Sequence, residues 1–157
     1  MEYTRLGNSG LNVSKICLGT MMFGDQTTAA TSAKIVSSAR DAGVNFIDTA
    51  DMYSMGESER ITGKTIRHDR HNWVLATKVG SPMGKGILQR GISRKWIMKA
   101  CDDSLKRLGT DHIDLYYLHG DDPDMPAEEP VRAMADLMQA GKICHWGVSN
   151  LKGWRIA

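Results

Sequence analysis

The chain has little of what several protein classes depend on. Its three cysteines, Cys17, Cys101 and Cys144, stand far apart among 157 residues with no C-x-x-C pair. That spacing supports neither a disulfide framework nor a zinc centre, and no metal site is expected. The three read instead as small buried apolar residues. There are four prolines, and no Pro/Ser-rich tract, low-complexity segment or charge block marks a linker. Twenty Lys and Arg against eighteen Asp and Glu leave a formal charge of +2. Phosphate-backbone binding needs a concentrated basic surface, so nucleic acid is not an expected partner. No apolar run approaches the roughly 18 residues of a membrane span. Residues 1–10, MEYTRLGNSG, lack the apolar core of a signal peptide, so no membrane association is expected and the location reads as cytoplasmic. The length suits one domain over residues 1–157.

What the sequence does have is an alternation of two periods. TRLGNSGLNVSKI sets two short strand-like runs about Asn8-Ser9-Gly10, which predicts a β-hairpin. Mostly apolar runs of strand length follow at residues 16–19, 44–47, 73–76, 113–118 and 143–148. Between them lie segments of helical period. Residues 28–42 carry Ala29, Ala33, Val36 and Ala39 on one stripe, with Gly43 as a stop. A shorter helix is expected near 58–66. Ser93 is placed to cap a helix whose inner face is Ile97, Ala100, Cys101, Leu105 and Leu108, ended by Gly109. Pro130 sits in the first turn of a fourth, with Val131, Met134, Ala135 and Met138 inward and Gly141 after it.

Strand then helix, four times over with a fifth strand at the end, implies parallel strands joined by helical crossovers. The class is α/β. An open dinucleotide-binding sheet usually shows G-x-G-x-x-G after its first strand, whereas this chain has Gly19-Thr20-Met21-Met22-Phe23-Gly24. A (β/α)8 barrel is favoured instead, because its chemistry gathers at the C-terminal ends of the strands and the polar residues here do the same. Asp48, with Tyr53 five residues on, then Lys78, His119 and Ser149-Asn150 follow successive runs.

If the runs lie side by side, Asp48, Tyr53, Lys78 and His119 meet on one rim. A phenol has a reference pKa of about 10, and a neighbouring ammonium favours its anion. Lys78 is placed to supply that charge, Asp48 to orient Lys78, and His119 to hydrogen-bond an incoming oxygen. The set suits proton donation to a carbonyl oxygen becoming an alkoxide and contains no good nucleophile. Each residue alone has a blander reading: a strand-end aspartate bonds its loop, a lysine is solvated, a histidine is structural. Asp51, Asp121, Asp122 and Asp124 read as turn formers and helix-start acids. His68 and His71 read as exposed, and most methionines as core filler, with Met21 and Met22 placed to edge a pocket mouth.

At these residues the sequence resembles the aldo-keto reductases. The likeness runs through RLGNSGLNVSKICLGTMMFG, DAGVNFIDTADMYSMGESER, LATKVGSPMG, SLKRLGTDHIDLYYLHGDDPDMP and AGKICHWGVSN, in that order. It implies a (β/α)8 TIM barrel with an N-terminal hairpin and reduction of aldehydes or ketones with NADPH, NAD not being excluded. It assigns the catalytic roles to Asp48, Tyr53, Lys78 and His119, with Tyr53 as general acid. It assigns cofactor contacts to Gly19, Thr20, Met21, Asp48, Ser149 and Asn150. A small-molecule carbonyl compound is the implied substrate, and Gly120-Asp121-Asp122 after His119 departs from the bulkier or more basic residues of many members.

A whole barrel of this kind takes about 250 residues. The chain is therefore expected to form a partial barrel of about five parallel strands and four helices. Its open edges invite self-association, and alone it should bind a dinucleotide weakly. The alternative is a non-catalytic interaction or regulatory protein on the same half barrel.

Overall fold

The computed structural model describes residues 1–156. Near the N-terminus, β1 (Tyr3–Arg5) and β2 (Asn12–Ser14) pair antiparallel with Tyr3 opposite Ser14, the expected hairpin. Its turn closes through Ser9, whose hydroxyl donates to the Leu6 carbonyl at 2.6 Å and accepts from the Leu11 amide at 3.2 Å. Asn45 fastens the hairpin beneath the next sheet, accepting from the Ser14 amide at 2.7 Å and donating to the Asn12 carbonyl at 3.0 Å.

Five parallel strands form that second sheet: β3 (Leu18–Gly19), β4 (Phe46–Asp48), β5 (Val74–Val79), β6 (Ile113–Leu118) and β7 (Ile143–Val148). Their spatial order is their chain order. Between successive strands run α1 (Ala29–Asp41), α2 (Glu57–Ile66), α3 (Arg94–Leu108) and α4 (Glu128–Gln139). A doubly wound sheet reverses its strand order at a switch point; a barrel never does. This sheet is a partial barrel. The capping expectation at Ser93 holds at atomic level, its hydroxyl accepting from the Trp96 amide, and Thr28 caps α1 in the same way by accepting from the Thr31 amide.

The core lies between sheet and helices, with Leu75, Val79, Ile97, Cys101, Tyr116, Met134 and Leu137 all buried in it. Strand alternation divides β5 between two faces. Leu75 and Val79 belong to this core and the Thr77 hydroxyl bonds Glu59 on α2, so Lys78 projects from the opposite face. At Gly63 the helices α2 and α3 come so close that a β-carbon there would stand 1.9 Å from the Leu108 carbonyl oxygen.

The structure corrects four expectations. On α1 the buried residues are Ser32 and Val36, while Ala29 and Ala33 face solvent. On α4 the buried face is Pro130, Ala133, Met134 and Leu137. Val131, Ala135 and Met138 are exposed. Both helices carry two adjacent apolar stripes, and contact with the sheet selects between them. Cys101 is buried, but Cys17 and Cys144 are exposed because they lie at β3 and β7, the two edges of the sheet. Finally β5 runs on to Val79, so Lys78 lies inside a strand rather than after one.

Candidate active site

The register sets the site. Gly19 pairs with Asp48, Asp48 with Ala76, and Lys78 with Tyr117, which aligns the C-terminal ends of four strands. Asp48 is the last residue of β4 and His119 follows β6 directly. Ser149 follows β7, its amide bonded to the Leu118 carbonyl at 2.9 Å.

Tyr53 opens a short helical turn over Tyr53–Gly56 whose Ser54 and Met55 have φ of 48° and 51°. Two consecutive left-handed residues that are not glycine are strained, at about 1–2 kcal/mol each. The Ser54 hydroxyl donates to the Phe23 carbonyl at 2.9 Å, holding this turn against the loop after β3.

The four expected residues converge. The Lys78 ammonium lies 2.5 Å from Asp48 Oδ2, 2.8 Å from the Thr49 carbonyl and 3.3 Å from the Tyr53 hydroxyl. It also stands 4.9 Å from the Tyr53 ring centroid, within cation–π range. The lysine side chain is 9% exposed and the aspartate 24%. A buried ammonium held by one carboxylate, one carbonyl and one phenol has each of its three donors matched to an acceptor.

His119 meets the edge of Tyr53 with ring centroids 6.0 Å apart and planes at 79°. Burial, and then the Lys78 charge, hold its imidazole below the usual histidine range, against the opposing pull of Asp48. Its Nδ1 is buried without a hydrogen-bond partner. A neutral ring there can offer one N–H to an oxygen seated beside Tyr53.

Of the expected cofactor contacts, Thr20 has its side chain engaged internally. Its hydroxyl bonds the Asp48 carbonyl at 3.0 Å and the Ser58 hydroxyl at 2.9 Å, leaving only its backbone to border a ligand. Ser58 also reaches the Thr49 hydroxyl at 3.0 Å and the Thr20 carbonyl at 2.7 Å, so one buried side chain joins the loops after β3 and β4 to the start of α2. Met21 is exposed, and a β-carbon on Gly19 would meet nothing within 4 Å, so open space adjoins this strand end. Asn150, at φ 60°, donates to the His119 carbonyl at 2.8 Å and to the Ser149 hydroxyl at 3.2 Å. These residues fit the carboxamide end of a nicotinamide: an open floor at Gly19, with hydroxyl and amide groups at the rim beside His119. A cleft of about 280 Å³ adjoins them at Gly120, lined by Ile92, Leu118, Trp146 and Val148 among others and by none of the four convergent residues.

Sequence reasoning missed the layer behind the site. Glu59, fully buried, bonds the Thr77 hydroxyl at 2.6 Å and the Arg107 guanidinium at 2.5 Å. Asp51, read as a turn former, is fully buried, and neither carboxyl oxygen has a hydrogen bond of good geometry. Burial first and Glu59 second push its carboxyl up to about 7, against the Met52 amide and the charges of Arg107 and Lys78. It lines a cavity of about 150 Å³ with Trp96 and Arg107, and the Trp96 indole N–H is also unpartnered. The block GESER, with Ser58 and Glu59 opening a helix, was the available signal.

Comparison with known proteins places this fold in a family. The aldo/keto reductase family profile matches residues 15–157. Aldo-keto reductase YhdN of Bacillus subtilis is 42% identical over 96% of this chain and 47% of its own length. The probable voltage-gated potassium channel subunit beta of Arabidopsis thaliana is 39% identical over 99% of the chain and 48% of its own. The solved holo form of aldo-keto reductase AKR11C1 from Bacillus halodurans superposes with a TM-score of 0.91 at 37% identity, over 99% of this chain and 52% of that one. The chain thus spans about half the length of the curated relatives it matches, and it belongs to the aldo/keto reductase family.

Proposed function

We propose that the chain carries the proton-donating site of an NAD(P)H-dependent reductase that converts aldehydes or ketones to alcohols, with Tyr53 as general acid. The observation that carries this reading is the Lys78 ammonium, held between the Asp48 carboxylate and the Tyr53 hydroxyl at 2.5 and 3.3 Å. As the phenol gives its proton to the carbonyl oxygen, negative charge appears on Tyr53, and the adjacent ammonium stabilises it. Asp48 and the Thr49 carbonyl fix the ammonium in place. His119, neutral at physiological pH, orients the carbonyl oxygen without competing as an acid.

Gly19, the Thr20 backbone, Met21, Asp48, Ser149 and Asn150 would hold the nicotinamide end of the dinucleotide, NADPH in preference to NADH. When bound, that cofactor supplies the hydride to the carbonyl carbon. Met21, Met22, Met52 and Met55, all exposed on loops at the strand ends, favour a substrate with an apolar body. A soluble protein working in the cytoplasm on small carbonyl compounds is the setting that best fits this site.

The test is Tyr53→Phe in the protein as encoded, assayed with NADPH and an aromatic aldehyde. Loss of the general acid should lower turnover about 10²–10⁴-fold. The dissociation constant for NADPH should hardly change, because the substitution removes one hydroxyl and little surface. Turnover within a few-fold of the parent would remove Tyr53 from this role.

A further inference from the structure

A second chemical cluster lies at the opposite ends of the strands. His112 immediately precedes β6, Asp114 is its second residue, and Cys144 is the second residue of β7. Ile113 pairs with Ile143, so the residues after each, Asp114 and Cys144, project from the same face of neighbouring strands. The ligand atoms of the three, an imidazole nitrogen, a carboxylate oxygen and a thiol sulfur, lie within 4.8 Å of one another. We propose that His112 Nε2, Asp114 Oδ1 and Cys144 Sγ bind a divalent transition metal of the zinc class, with solvent in the fourth position.

The surrounding bonds prepare two of the three donors, Asp114 and His112. Asp114 Oδ2 is taken by the Arg70 guanidinium at 2.7 Å and the Leu75 amide at 2.9 Å, which leaves Oδ1 for a ligand role. The Asp111 carboxylate lies 2.6 Å from His112 Nδ1. It takes the proton of a neutral ring and leaves the Nε2 lone pair bare, the carboxylate–histidine pairing that orients zinc ligands. The tautomer is assigned from this contact. His112 Nε2 and Asp114 Oδ1 then face each other 3.9 Å apart. That is too long for a hydrogen bond. Bonds of about 2.0–2.1 Å at a tetrahedral angle would draw the two donors to roughly 3.3 Å.

Charge and donor type both point to the same ion. A dication with the Asp114 carboxylate, a Cys144 thiolate, the Asp111 carboxylate and the Arg70 guanidinium makes a neutral cluster. Thiolate and imidazole together with one carboxylate select zinc over the oxygen-seeking magnesium or calcium. Such an ion would clip β7, an edge of the sheet, to the start of β6 and, through Arg70, to the turn before β5. The sequence hid this because the third donor comes from a strand thirty residues further on.

The test titrates the reduced 157-residue chain with Zn²⁺ by calorimetry and with Co²⁺ by absorption spectroscopy. One metal per chain is expected, with the visible bands of tetrahedral cobalt and a thiolate-to-cobalt charge-transfer band. Cys144→Ser should abolish the charge-transfer band, and His112→Gln should weaken binding at least as much as Asp111→Asn, which costs about 10–100-fold as a supporting contact. Cys17→Ser should bind as the parent does, and circular dichroism verifies that each variant is folded. Absence of binding in the parent overturns the proposal. So does binding that survives both Cys144→Ser and His112→Gln, or a metal that joins two chains on gel filtration. None of these outcomes depends on reductase activity.

Discussion

Asp51 makes stability depend on pH in a direction opposite to most paired carboxylates. Its carboxyl is pushed from 3.8 up to about 7 by burial and by Glu59. The folded chain therefore keeps a proton that the unfolded chain has lost between those two values. The stability this confers is fully present below pH 3.8 and disappears as pH rises through 7. The interval spans about three pH units, and at about 1.4 kcal/mol per unit the loss is on the order of 4 kcal/mol. Asp51→Asn supplies a neutral group of the same shape and should delete this dependence. Urea unfolding of parent and variant from pH 4.5 to 8.5 is the assay. The difference between their unfolding free energies should change with pH by up to about 1.4 kcal/mol per unit, favouring the variant increasingly toward pH 8. Titrating groups remote from Asp51 act on both proteins and cancel, leaving Asp51 and the Glu59 coupled to it. Parallel curves would show that Asp51 ionises in the fold as it does in water, and the argument from burial would fail.

Other perturbations test the packing. Gly63→Ala improves intrinsic helix propensity by about 1 kcal/mol, yet its methyl would collide with the Leu108 carbonyl oxygen, so net destabilisation of about 2 kcal/mol or more is expected by thermal unfolding. An unchanged or raised melting temperature would mean that α2 and α3 are further apart. Met55→Gly should stabilise by about 0.5–1 kcal/mol, since Met55 is exposed and left-handed and glycine relieves more strain than its added chain entropy costs; a loss of stability would place the turn in another conformation. Lys78→Met should depress carbonyl reduction as severely as Tyr53→Phe and flatten the pH–rate profile. A variant that keeps the parent profile would show that the ammonium does not act on the phenol.

The order of elements was legible because strand-length apolar runs and capped helical segments alternate without interruption. Ser93 and Gly109 even marked the bounds of α3. The convergence of Asp48, Tyr53, Lys78 and His119 followed from one topological rule, that successive parallel strands present their C-terminal ends together. Properties that depend on two layers meeting were not legible. Nothing local distinguishes Val131 and Met138 from Pro130 and Leu137 as the inner face of α4; the sheet decides. Asp51 looks like any loop acid until α3 is laid over it. His112, Asp114 and Cys144 become neighbours only through the register of β6 with β7.

The three hydroxyls gathered about Ser58 carry a further consequence. Threonine and serine neither gain nor lose protons under physiological conditions, and their mutual bonds are insensitive to ionic strength. The separation of the first two rim loops is thus governed by parts indifferent to acidity and salt, while Asp51 and His119 respond to acidity. Amides tethered there, such as that of Thr20, should exchange with deuterium at rates that track global opening alone.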